Sequence, residues 1–158
     1  MNTQLQWLNP EGVYHRVDEL TPFLDKVVDA HPKGSFTSQG ILFKFYRGEW
    51  VCWTITDEEG VLLGVAATQP ATDMHYRAVL RILFLGGEKW LEWGTTVLAT
   101  FEETAKTQNI YATEFVGREG FKKIMKDYEV VGLLYRKVVN KSATPVPIVD
   151  AHTLTDRR

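Results

Sequence analysis

Cysteine is nearly absent: Cys52 is the one thiol in 158 residues. A single thiol excludes an intrachain disulfide and any cysteine-based zinc cluster. Cys52 lies in an apolar, strand-like pattern, where an inert buried thiol is expected. The four histidines, His15, His31, His75 and His152, never fall at metal-ligand spacing, so no metal is expected. No apolar run approaches the ~20 residues of a membrane span. Residues 1–15 lack the basic-then-apolar pattern of a signal peptide. Charge of one sign is also missing, since 18 Lys and Arg against 20 Asp and Glu leave a formal net charge of −2. No global field recruits nucleic acid or an anionic membrane. Arg118, Lys122, Lys123 and Lys126 form a basic edge, but without the interleaved stacking aromatics of a nucleic-acid site. Gly-x-Ser-x-Gly does not occur, and there is no internal repeat.

What remains is an ordinary globular composition, 44% apolar and 24% charged. The length suits one domain, which can bury about two thirds of its unfolded surface. Residues 1–16 are aperiodic and read as an N-terminal arm, with Trp7, Leu8, Val13 and Tyr14 able to pack as an edge strand. A helix is expected over Thr21–Ala30, capped by Thr21, opened by Pro22 and ended at His31-Pro32. A second helix is expected within Ser35–Gly48, capped by Ser35 or Thr37. Trp50–Thr56 and Val61–Thr68 read as a hairpin turning at Asp57–Gly60, with a loop over Gln69–Asp73.

The stretch Ala78–Gln108 organises the rest. Ala78–Leu85 is an apolar run that reads as a strand buried on both faces. Gly86-Gly87 follows as a tight turn. Leu91, Val97, Leu98, Phe101 and Ala105 then repeat at helical spacing, opposite Glu92, Glu102, Glu103 and Lys106. Strand, glycine turn and helix together place a helix N-terminus beside a central strand, a place that can cradle an anion. After Asn109, Ile110–Val116 reads as a further strand, reached by a crossover to a parallel neighbour. Phe121–Lys126 is a short helix and Tyr128–Val139 a last strand. The fold class is α/β: a single domain over residues 17–139 with a mixed twisted sheet, a long helix after the central strand and a short helix before the last strand. Residues 140–158 form a proline-containing tail.

The residues Val79–Gly87 with Trp90-Leu91, and Gly117–Phe121 with Tyr128 and Leu134–Lys137, resemble the GNAT N-acyltransferases. More narrowly they resemble the small GNAT-like proteins of tailed phages and prophages. The resemblance implies an acyl-CoA donor such as acetyl-CoA and an amine acceptor. Its cofactor pattern, Arg/Gln-x-x-Gly-x-Gly/Ala at the start of the long helix, falls on Lys89, Glu92 and Gly94. Gly94 matches outright, Lys89 keeps a charge, and Glu92 sets a carboxylate where an anion would lie. Leu85, Gly86 and Gly87 supply the neighbouring backbone, and groups near Leu83–Leu85 would hold the acyl carbonyl. The family's general-acid tyrosine position falls on Lys123. Its general base has one candidate on a central strand, Glu114.

A second reading belongs to a different class, a non-catalytic virion or assembly protein. Trp50, Trp53, Trp90 and Trp93 cannot all be deep core, and an exposed one would mark a protein contact. Pro145 and Pro147 favour extended backbone, with Val146, Ile148, Val149 and Leu154 as apolar anchors. The tail and the Trp residues would then join a protein partner or a second copy of the chain. The resemblance implies the host cytoplasm or the virion as its location.

Overall fold

The computed structural model describes residues 2–31, 36–117, 119–130, 137 and 142. The chain divides into one unit over Met1–Asp127 and a second over Tyr128–Arg158. In the first unit, five strands order as β1-β2-β3-β4-β5: β1 (Gln4–Leu8), β2 (Val51–Thr56), β3 (Leu62–Thr72), β4 (Ala78–Gly87) and β5 (Ala112–Phe115). Neighbours are antiparallel except β4 and β5, which run parallel. The 18-residue helix α4 (Trp90–Thr107) makes that parallel crossover. Helices α1 (Pro10–His15), α2 (Val17–Ala30) and α3 (Ser38–Tyr46) precede β2.

The sheet carries one core on each face. Val13, Leu20, Leu24, Val27, Ile41 and Phe45 of α1–α3 pack with Cys52, Val65, Ala67 and Phe84. On the other face Trp93, Val97, Leu98 and Phe101 of α4 pack with Ile55, Ala66, Ile82 and Leu85, joined by Phe121. A 3-10 segment over Glu119–Lys123 brings in Phe121, in place of the expected α-helix over 121–126.

Local chemistry explains the element starts. Asn9 caps α1, its Oδ1 accepting from the Gly12 N–H at 2.7 Å, with Pro10 in the first turn. Thr37 caps α3 through the Gly40 N–H at 2.9 Å. Residues 1–16 thus supply an edge strand, one of the two expected readings, and also a helix that buries Val13. Helix α2 starts a turn earlier than expected, and Pro22 lies inside it. The Arg16 guanidinium forks onto Glu19 with two 2.8 Å bonds and steadies that early first turn.

Strand β3 also outruns its expectation, continuing through Pro70 to Thr72. Pairing with β2 ends at Thr68, so beyond it β4 is the one neighbour among the described residues and a proline nitrogen can face the other side. The turn lies instead at Asp73–Arg77, where Oδ1 of Asp73 accepts from the N–H groups of His75 (2.8 Å) and Arg77 (2.9 Å).

Gly86 and Gly87 are corrected in the same way. They are the last residues of β4, paired with Val65 and Gly64, and do not make the turn. The turn is Glu88-Lys89, with Lys89 left-handed at φ 53°. The glycines serve close packing: a Cβ on Gly87 would lie 2.2 Å from the Leu63 carbonyl oxygen, and one on Gly86 2.6 Å from a Val27 methyl. The last strand expected over 128–139 lies largely outside the described residues. So do Arg118 and, apart from Ser142, the tail over 140–158.

Candidate functional site at the fork between β4 and β5

Strands β4 and β5 stay paired only from Val79–Ile82 against Ala112–Phe115, and the Val116 N–H closes the ladder on the Ile82 carbonyl at 3.0 Å. Strand β4 runs on to Gly87. From Leu83 onward its β5 side has no strand partner among the described residues. A cavity of about 190 Å³ occupies this fork. Helix α2 walls it with Lys26, Val27, Ala30 and His31, and β4 with Phe84–Gly87. Trp90, Phe115, Val116, Gly117 and Phe121 close the remaining sides. The Trp90 and Phe121 rings lie 4.6 Å apart, and Phe115 packs on Phe121 at 4.8 Å.

A β-bulge marks the point of divergence. Thr68 pairs with Ile82 and Ala67 with Phe84, which leaves Leu83 without a partner on β3. Leu83 and Phe84 consequently both pack on the α1–α3 side, while Ile82 and Leu85 face α4. Bulges of this kind re-aim backbone groups and release them from the ladder. The fork therefore offers an apolar slot with strand backbone along one wall.

Charges gather at the α4 end. The Lys26 ammonium meets Glu88 at 3.1 Å, both groups being more than half exposed. Lys89 and Glu92 are exposed in the turn and the first turn of α4. The Trp93 indole N–H donates to the Glu88 carbonyl at 2.7 Å and ties the turn to the helix beneath it.

No protein-family model matches the chain, and no curated protein sequence matches it. Solved structures do. A ribosomal-protein-alanine N-acetyltransferase from Brucella melitensis superposes with a TM-score of 0.65 at 9% identity, covering 89% of this chain and 99% of the other. A GNAT family acetyltransferase from Staphylococcus aureus gives 0.62 at 13% identity, covering 87% and 100%. Glucosamine-6-phosphate N-acetyltransferase from Arabidopsis thaliana gives 0.59 at 12% identity, covering 89% and 100%. The chain has the GNAT fold.

Within the GNAT fold the expected site residues fall into two groups. Leu85, Gly86 and Gly87 line the cavity. Lys89, Gly94 and Glu114 do not. Gly94 is buried, and a Cβ there would lie 3.0 Å from the Cδ1 of Ile124, just past the 3-10 segment. Glu114 sits on β5 opposite Arg81 in register, and one of its carboxylate oxygens takes both guanidinium contacts, at 3.1 and 3.0 Å. It is a half-buried ion-pair partner away from the cavity. Lys123, at the family's tyrosine position, is exposed. Trp50, Trp53, Trp90 and Trp93 are all partly or fully buried, and the exposed tryptophan is Trp7 at 57%.

The sequence reading missed the α2 wall and the β5 end. Val27 packs in the core as well as against the cavity. Lys26 with Ala30 and Val27 with His31 follow the i, i+4 spacing of one helix side, which was the available signal. Among the described residues no set of three metal-ligating side chains occurs, and no helix is long and apolar enough to cross a membrane.

Proposed function

We propose that this chain is an N-acyltransferase that uses an acyl thioester donor of the acetyl-CoA kind and an amine acceptor. The opening of β4 from β5 beside the bulge at Leu83 carries the proposal. An extended chain bearing amides can lie along the vacant side of β4 as a short extra strand, because strand backbone without a neighbour presents N–H and C=O groups at regular spacing. A pantetheine arm is such a chain. Phe84, Leu85, Trp90 and Phe115 supply apolar walls that exclude water from a thioester. Backbone amides at Leu83–Leu85 donate to the acyl carbonyl oxygen and favour the charge that develops there. The three acetyltransferases that share the fold support the same class of chemistry.

The diphosphate end fits less well. Lys26 and Lys89 attract an anion, while Glu88 and Glu92 oppose it. Glu92 is exposed, so solvent screens it, and a like charge at ~4 Å costs about 1 kcal/mol in water. That weakens phosphate recognition without abolishing it. The phage-scaffold alternative draws on the Trp residues and on the tail over 140–158, which apart from Ser142 lies outside the described residues.

Calorimetric titration with acetyl-CoA tests the proposal, together with thiol release in the presence of mixed primary amines. Saturable binding and amine-dependent release of free thiol are expected. No heat at millimolar acetyl-CoA and no release would contradict the proposal. Cys52 is buried and does not contribute to the thiol signal.

A further inference from the structure

Among the described residues, His31 and Lys26 are the titratable side chains that line the fork cavity. The Lys26 ammonium is engaged by Glu88 at 3.1 Å. The imidazole is held differently. Its Nδ1 lies 2.7 Å from the Val27 carbonyl oxygen. A carbonyl can only accept, so Nδ1 carries the hydrogen and the neutral ring keeps its lone pair on Nε2. Phe36 meets the ring nearly edge-on, with centroids 5.0 Å apart and an interplanar angle of 82°, which fixes the ring plane. Nε2 has no hydrogen-bond partner among the described residues. The charged groups beside the cavity are Lys26 on α2 itself and Glu88 and Lys89 in the turn before α4, while the β4 and β5 residues that line it bring none. Glu114, the carboxylate expected to act as base, is tied to Arg81 and lies off the cavity.

We infer that His31 is the general base for N-acyl transfer in the fork, its Nδ1 oriented by the Val27 carbonyl and its Nε2 receiving the acceptor's proton. The assignment rests on the acyltransfer reading given above. As the amine nitrogen bonds to the acyl carbon, Nε2 takes one proton from that nitrogen. The carbon–sulfur bond breaks and the sulfur leaves as thiolate. The imidazolium then returns its proton to the thiolate through solvent, so the products are one amide and one thiol. Positioned general bases are worth about 10²–10⁴-fold in rate.

Two substitutions separate the roles of the ring nitrogens. His31→Asn keeps a donor near the Nδ1 position for the Val27 carbonyl and removes Nε2. His31→Gln places an amide near Nε2 and gives up the Nδ1 bond. Both are expected to fold and to bind acetyl-CoA within about twofold of wild type, while amine-dependent turnover falls about a hundredfold or more. Added imidazole should restore part of the His31→Asn rate, and the low-pH limb of the rate profile should disappear. Nitrogen-15 spectra of the wild-type ring should show the Nδ1–H tautomer and should move on saturation with acetyl-CoA. Binding without transfer loss in His31→Asn, an Nε2–H tautomer, or ring signals that ignore bound acetyl-CoA would each overturn the assignment alone. Absence of acetyl-CoA binding to the wild type would overturn the acyltransfer reading, and the assignment would fall with it.

Discussion

Cys52 shows how burial at one residue controls chemistry. Its side chain is buried in the same core cluster as Val65, Ala67 and Phe45, and desolvation pushes the thiol up to about 12 from an ordinary 9.0. A raised thiol value means that the unfolded chain ionises first as pH rises. Stability should therefore decline above about pH 9, and thiol reagents at pH 8 should react only at the rate of unfolding. Rapid stoichiometric labelling of the native protein would contradict this. Asp73 moves the opposite way. The Arg77 side chain, then the backbone N–H groups of Arg77 and His75, hold its carboxyl at about 2 instead of 3.8. A depressed carboxyl stabilises above its ordinary value, and the contribution is lost as pH falls through about 2. Amide shifts of His75 and Arg77 should titrate with a midpoint near 2, and a midpoint near 4 would refute the turn geometry. Glu92 lies exposed in the first turn of α4, at the diphosphate end of the proposed site. Glu92→Gln removes about 1 kcal/mol of repulsion and should tighten acetyl-CoA binding about fivefold, read by calorimetry. Unchanged affinity would place the phosphates elsewhere.

At the scale of elements, β4 carries both the success and the error of reading the sequence. Its apolar run from Ala78 marked a central strand, and the period of Leu91, Val97, Leu98 and Phe101 marked α4. These signals are local and strong, so the parallel crossover was legible. The glycine pair was misread because a turn and a tight strand contact ask for the same residue. Gly87 approaches the Leu63 backbone, a neighbour distant in sequence that no local pattern announces. Gly87→Ala should lose about 1–3 kcal/mol in urea unfolding, the usual range for overpacking. A loss under ~0.5 kcal/mol would show that Gly87 faces open space instead. Helix α1 was hidden for a related reason: it is short and buries only Val13. The bulge at Leu83 was equally invisible, since register is set between strands. Of the cavity lining, the Leu85–Gly87 wall was legible in the sequence. His31 was not, because its role depends on α2 docking against the end of β4.

At the scale of the unit over Met1–Asp127, two cores hold one sheet between helical layers, and the sheet opens where its parallel pair diverges. Paired strands on one side of the opening and packed aromatic rings on the other make the fork a fixed feature of the sandwich. Backbone amide spectra recorded during an acetyl-CoA titration test that claim most directly. The account predicts saturable shifts concentrated at Leu83–Gly87 and Phe115–Gly117, with His31 following. Shifts confined to other surfaces, or none at millimolar acetyl-CoA, would contradict it.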